Sequence, residues 1–144
     1  MVSIQWSVTG SRLQFSGAEE MSVLDYKDLL VWQNGMELVA EIYQLTCFLP
    51  KEELYALSSQ MRRAAVSVPS NIAERQLRKS SKEFANFLSI SRGSLAEVET
   101  QLLICSKLGY LTDNQINHSL ETCKELGMML NALIDKIQAK YSDH

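Results

Sequence analysis

Residues 60–74 read QMRRAAVSVPSNIAE, and two helical patterns are superposed in this stretch. Apolar residues recur every three or four positions, the spacing of one helix face: Met61, Ala65, Val68 and Ile72. Polar residues follow the same period on another face: Gln60, Arg63, Ser67, Asn71 and Glu74. The stretch therefore predicts a helix that packs into a core on one side and carries hydrogen-bonding groups on another.

Three further segments share this helical period. We predict helices over residues 28–48, 52–78, 81–108 and 113–140. The first ends before Pro50. The third and fourth begin at capping boxes, Ser80 with Glu83 and Thr112 with Gln115. Pro69 lies inside the second helix, where its ring removes a backbone donor, and we expect a kink there.

The short connections between these segments predict one all-α domain. Short loops force neighbouring helices to run antiparallel, so we expect an up-down-up-down four-helix bundle over residues 21–144. The low content of Gly (6) and Pro (2) in 144 residues also favours long helices. Residues 1–20, where Gly10 and Gly17 interrupt any periodicity, are expected to form a flexible N-terminal extension.

A second polar row lies on the third predicted helix. Ser94, Glu97 and Gln101 continue a pattern that starts at Glu83 and Asn86. We interpret the two rows as a structural polar network that sets the register of helices within or between bundles. The alternative is a ligand or nucleotide site. The predicted network consists of Gln60, Arg63, Ser67, Asn71, Glu74, Ser94, Glu97 and Gln101.

The first predicted helix is apolar around most of its circumference. A helix of a monomeric bundle needs only one apolar stripe, so part of this surface requires a cover from outside its own bundle. The second helix has an additional apolar line at Val66, Ala73 and Leu77. Both patterns predict a homo-oligomer.

Charge is distributed unevenly, although the net charge is only -3. Residues 61–92 hold seven basic residues against two acidic ones, whereas residues 21–60 hold two basic against six acidic. The candidate nucleic-acid-binding residues are Arg75, Arg78, Lys79 and Lys82. A solvated helix end, where cations complement the helix dipole, is the competing interpretation.

Sets of residues that could carry catalysis or hold a cofactor are not found. A di-iron bundle needs Glu-x-x-His pairs, but Gln115 stands three positions before His118, and His144 is the last residue. Ser67 and Ser94 have no histidine at helical reach. We therefore predict a protein that is not an enzyme and has no cofactor or metal. The three cysteines, none in a C-x-x-C pair, and the lack of a signal peptide or membrane span predict a cytoplasmic protein.

Three motifs carry a resemblance to a known family. They are DYKDLLVWQ at residues 25–33, QMRRAAVSVPSNIAE at residues 60–74 and FLSISRGSLAEVETQL at residues 87–102. With them the chain, over about residues 24–140, resembles the bacterial four-helix-bundle proteins first noticed as open reading frames inside intervening sequences of large-subunit ribosomal RNA genes.

The resemblance implies an antiparallel four-helix bundle that assembles into a five-fold ring. Relatives include accessory proteins of diversity-generating retroelements, which bind a reverse transcriptase and nucleic acid. The chain departs from these relatives at Arg75, where a glycine is common, and in its acidic overall balance. We predict a homo-oligomeric, pentameric scaffold or interaction protein; the alternative is a nucleic-acid-binding accessory protein of a reverse transcriptase or of a ribosomal RNA intervening sequence.

Overall fold

The protein is an all-α four-helix bundle in the computed structural model, which describes residues 25–74 and 80–142. The helices are α1 (Leu30–Thr46), α2 (Leu57–Ala73), α3 (Ser81–Lys107) and α4 (Asp113–Ser142). Two short 3-10 turns, Tyr26–Asp28 and Lys51–Glu53, precede α1 and α2. The described ranges contain no β-strand, and the predicted all-α class with four helices is confirmed. The up-down-up-down order of the helices stays a prediction.

Two helices begin later than the sequence predicts. Residues 26–28 form a 3-10 turn instead of the start of α1, because the Asp25 side chain accepts the N–H of Lys27 and caps that turn. Helix α2 begins at Leu57 instead of residue 52. Its preceding residue, Ala56, is non-helical (φ -122°, ψ -104°), and its N–H bonds to the carbonyl of Glu53 in a tight turn.

Both predicted capping boxes contribute hydrogen bonds. At the start of α3, the Glu83 N–H donates to Ser80 Oγ at 3.2 Å. At the start of α4, the Gln115 N–H donates to Thr112 Oγ1 at 3.2 Å, while the Thr112 N–H donates to Gln115 Oε1 at 2.9 Å. These bonds pair N–H groups that a helix start would otherwise leave without partners.

Contacts between helices identify the neighbours. Helix α1 contacts α2 and α4, and α3 contacts α2 and α4. On the α2–α3 side, Cys105 Sγ lies 3.6 Å from Met61 Sδ, and Ser91 Oγ lies 2.8 Å from the Val68 carbonyl oxygen. Residue numbers rise along one helix as they fall along the other, the order expected of antiparallel neighbours.

Helix α2 continues through Pro69, where side chains supply additional hydrogen bonds. Ser70 Oγ donates to the Val66 carbonyl at 2.7 Å, and Asn71 Nδ2 donates to the Ser67 carbonyl at 2.8 Å. Because Pro69 has no N–H, these side-chain donors add pairing in the turn that it disturbs. The kink itself stays a prediction.

The core is a single apolar cluster with contributions from all four helices. Leu38, Met61, Leu102 and Leu130 are among its fully buried side chains. Each such side chain stabilises the fold by about 1.5–3 kcal/mol through burial. The predicted N-terminal extension, residues 1–20, and the predicted end of the second helix beyond Glu74 lie outside the described residues.

Candidate functional site

Two grooves beside α2 are lined in part by residues of the predicted polar network. The first, which we call the apolar groove, has a volume of about 570 Å³ and lies between α1 and α2. The second, which we call the polar groove, has a volume of about 270 Å³ and lies between α2 and α3. Arg63 and Ser67 line both grooves, so the two meet along one side of α2.

The apolar groove is lined by side chains that an isolated bundle leaves in water. Tyr55 is 92% exposed, and Val66 is 40% exposed. Leu54 and Tyr43 are also exposed and line the same groove. The Arg62 guanidinium lies 4.6 Å from the centre of the Tyr43 ring and donates from Nε to Thr46 Oγ1 at 2.8 Å. Cation–π contact and hydrogen bond together hold one wall of the groove in place.

Three members of the predicted polar network are joined by hydrogen bonds. Ser67 Oγ lies 2.8 Å from Ser94 Oγ and links α2 to α3. Asn71 Nδ2 donates to the carbonyl of Ser67 at 2.8 Å and to its hydroxyl at 2.9 Å. These residues have the arrangement expected of a structural network. The bond from Ser67 to Ser94 joins two helices, and the bonds from Asn71 to Ser67 join successive turns of α2.

Four other members line the polar groove. Gln60, Arg63, Glu97 and Gln101 make no hydrogen bond or ion pair to any of the side chains in residues 25–74 and 80–140. Gln101 differs from the other three, because its side-chain oxygen Oε1 is buried and has no hydrogen-bond partner. The last member, Glu74, is half-buried at the C-cap of α2 and does not line the groove.

The predicted basic cluster falls mostly outside the part of the chain that the structure describes. Arg75, Arg78 and Lys79 lie there, so their placement stays a prediction. Lys82 is exposed in the first turn of α3.

A cluster that sequence reasoning missed joins α1 to α4 around Glu41. Its Oε1 accepts from Ser119 Oγ at 3.2 Å and from Thr122 Oγ1 at 3.4 Å, and it lies 3.2 Å from His118 Nε2. The serine and the histidine bind the same carboxylate oxygen. A catalytic triad needs the serine bonded to the histidine, so this cluster has the geometry of an interhelical tie. The spacing of Ser119 and Thr122, one helical turn apart, was the available signal.

Two of the three cysteines are unreactive by position. Burial, with a smaller effect of Glu53, raises the pKa of Cys105 to about 11. Burial, with smaller effects of Glu99 and Glu41, raises the pKa of Cys123 to about 12. Both thiols are therefore neutral at physiological pH and poor nucleophiles. Among the described residues, no group of three His, Cys, Asp or Glu side chains could hold a metal ion.

We expect a thiol reagent such as DTNB to distinguish these cysteines. Cys47 is exposed, so only this thiol should react in the native protein, whereas Cys105 and Cys123 should react only after unfolding. Absorbance at pH 8 measures the number of thiols, and peptide mapping identifies them. The Cys47→Ser variant is the control, and it should not react with DTNB while it is folded. More than one equivalent released from native protein would contradict the assignment.

Comparison with known proteins identifies the family. The sequence profile of the 23S rRNA-intervening sequence protein family matches residues 27–132. The chain belongs to this family. The predicted family resemblance is thereby confirmed, and the matched range extends from the first 3-10 turn into α4.

A similar solved structure supports the fold of this 23S rRNA-intervening sequence protein. It is a protein of unknown function from the S23 ribosomal protein family of Bacteroides thetaiotaomicron, with 26% sequence identity and a TM-score of 0.68. The alignment covers 74% of this chain and 96% of that one. A search of curated proteins gives no match. In the described part of the present chain, no helix is both long and apolar enough to cross a bilayer.

Proposed function

We propose that this protein is a non-enzymatic scaffold or interaction protein that assembles into a homo-oligomeric ring of five subunits. The observation that carries the proposal is the apolar groove of about 570 Å³ beside α2, with an almost fully exposed Tyr55 at its edge. Exposed apolar surfaces of this kind mark interaction sites, because monomers bury them or lack them.

The composition of the groove favours a protein as its occupant. Tyr43, Tyr55 and Arg62 are of the residue types most enriched at the energetic centres of protein interfaces. Their rings and the guanidinium offer both apolar area and hydrogen bonds. A second copy of the chain is present at the same concentration and offers further exposed apolar side chains.

A second exposed apolar row lies at the C-terminal end of α3. It comprises Leu103 and Ile104 on the helix and Leu108 at its C-cap, none of which lines the apolar groove. Two different patches on one subunit permit head-to-tail contacts, and such contacts close into a ring when the rotation between subunits allows it. The family resemblance, with its five-fold ring, supports the number of subunits. The three unpaired thiols fit a reducing compartment, in agreement with a cytoplasmic location.

Light scattering coupled to size exclusion tests the assembly. We expect a mass about five times the 16.3 kDa of one chain. A mass of one chain at micromolar concentration would contradict the proposal. Negative-stain microscopy of the same fraction should show rings.

Nucleic-acid binding is the second candidate function, in an accessory role beside a reverse transcriptase or a ribosomal RNA. The excess of seven basic over two acidic residues in 61–92 favours it. Arg62 and Arg92 of this segment are engaged, with Thr46 and Asn131 respectively. The binding would therefore depend on the remaining cations, and a ring would place five copies of them together.

Mobility shifts at low salt test this candidate with structured RNA, single-stranded DNA and duplex DNA. We expect weak, sequence-tolerant binding that falls steeply with salt, because each neutralised phosphate releases counterions. Arg78→Glu with Lys79→Glu should abolish the shift, and Lys107→Glu, outside the basic segment, is the matched control. No shift with any of the three probes would exclude the candidate and leave the protein scaffold.

A further inference from the structure

We propose that the polar groove between α2 and α3 binds a small zwitterionic molecule of the α-amino-acid class. The groove is lined by Gln60, Arg63 and Ala64 from α2 and by Ser94, Glu97 and Gln101 from α3, with Ser67 at the contact between the helices. This binding site adjoins the apolar groove, with which it shares Arg63 and Ser67, but all the residues that line it belong to one subunit.

The carboxamide of Gln101 shows which kind of group is missing. Gln101 is only 8% exposed, and its Oε1 is buried without a hydrogen-bond partner. A buried carbonyl oxygen left unpaired is destabilising, so native proteins provide it with a donor. A hydrogen-bond donor is therefore missing beside the groove that Gln101 lines.

Glu97 specifies the charge of that donor. Glu97 and Gln101 are four residues apart on α3, so their side chains are neighbours on one face of the helix. Glu97 has no ion-pair partner among the described residues. A donor that approaches both a carboxylate and a carbonyl oxygen is best matched by an ammonium group, which carries three N–H bonds and a positive charge.

Arg63 supplies the opposite charge from the other helix. It lines the same groove on α2 and forms no ion pair with Glu97 or with any other described carboxylate. A guanidinium binds a carboxylate through two parallel hydrogen bonds. One ligand with an ammonium at one end and a carboxylate at the other satisfies both side chains and Gln101.

The size of the groove suits a small molecule. Its volume of about 270 Å³ is close to the lower end of the range of roughly 300–1,000 Å³ typical of ligand clefts. The buried Ala64 forms part of the lining, and the hydrogen bond between Ser67 and Ser94 joins the two helices at the groove. A free amino acid with a short side chain matches this volume.

Ligand-observed saturation-transfer NMR on the intact oligomer tests the proposal with three matched probes. L-alanine carries both charges, propionate lacks the ammonium, and ethylamine lacks the carboxylate. We expect L-alanine to bind at millimolar or lower concentration, and about tenfold or more tightly than either half-ligand, because each half forfeits one charge-assisted contact. Stronger or equal binding of propionate or ethylamine would overturn the zwitterion assignment.

Variants locate the site. Gln101→Met, Glu97→Gln and Arg63→Met should each weaken L-alanine binding about tenfold or more. Arg92→Met and Glu121→Gln are the charge-matched controls, since both residues are exposed and neither lines the groove. Glu97 and Arg63 are exposed as well, so their variants should fold, and melting curves check this. Equal affinity in all variants would place the ligand elsewhere and overturn the proposal.

Two further outcomes would also overturn it. The absence of any saturation transfer to L-alanine would mean that water alone fills the groove. A change in oligomer mass in Gln101→Met or Glu97→Gln would mean that a neighbouring subunit occupies the groove. Failure of the ring proposal is distinguishable from both, because a monomeric wild-type protein can still bind the amino acid.

Discussion

Two charges placed in the apolar groove, Tyr55→Glu with Val66→Asp, are expected to convert the oligomer into folded monomers. Both side chains are exposed in the single chain, so their replacement leaves the core intact. In an assembly, the new carboxylates would be buried without partners, which is strongly unfavourable. Loss of two interface anchors at about 2 kcal/mol each weakens association by about three orders of magnitude.

Light scattering and thermal unfolding of the double variant measure this effect. We expect the mass of one chain together with retained helical circular dichroism. Met128→Glu is the matched control, because Met128 is 64% exposed on α4 and does not line the groove. An unchanged mass in the double variant would show that the groove is not the interface, while loss of helicity would show that these positions support the fold.

Gly35→Leu is expected to lower the free energy of unfolding by about 2–3 kcal/mol through overpacking. Gly35 is buried on α1 and faces the rigid ring of Pro69 on α2, where an added Cβ would lie 3.4 Å from Pro69 Cβ and 3.5 Å from Cδ. That distance admits one methyl group. A larger side chain can be accommodated only if α1 and α2 separate.

Gly93 offers a matched control for the effect of helix propensity. It is exposed on α3, and an added Cβ there meets nothing within 4 Å. Gly93→Leu should therefore stabilise the helix by about 0.5–1 kcal/mol, the usual gain on removing a helical glycine. Urea unfolding of Gly35→Leu, Gly35→Ala and Gly93→Leu gives the comparison. A similar gain for Gly35→Leu and Gly93→Leu would contradict the close approach of α1 and α2.

The helices and their starts were largely predictable because they depend on local chemistry. The capping box of Ser80 and Glu83 and that of Thr112 and Gln115 lie at the predicted helix starts, since a cap involves only residues within one turn. The start of α2 was wrong by several residues. The apolar residues keep their helical spacing through residues 52–56. The sequence pattern therefore does not reveal the non-helical dihedral angles of Ala56.

The candidate site was predictable in part. The sequence placed Ser67, Ser94 and Gln101 on facing rows, and the structure brings all three to one groove. It could not tell which members bond to each other, because that depends on the relative rotation of α2 and α3. The ties from Glu41 to Ser119 and Thr122 were missed for the same reason, since they join positions 78 and 81 residues apart in the chain.

The sequence by itself determined the all-α class, the family and the helix faces, because a period of 3.6 residues and the capping residues act within a few positions of the chain. Only the tertiary structure decided which polar groups are satisfied and which are not. Ser67 and Ser94 lie 2.8 Å apart, whereas Gln101 Oε1, on the same helix as Ser94, is buried without a donor. A hydrogen bond depends on distances of a few tenths of an ångström between helices, and these distances follow from packing of the whole core.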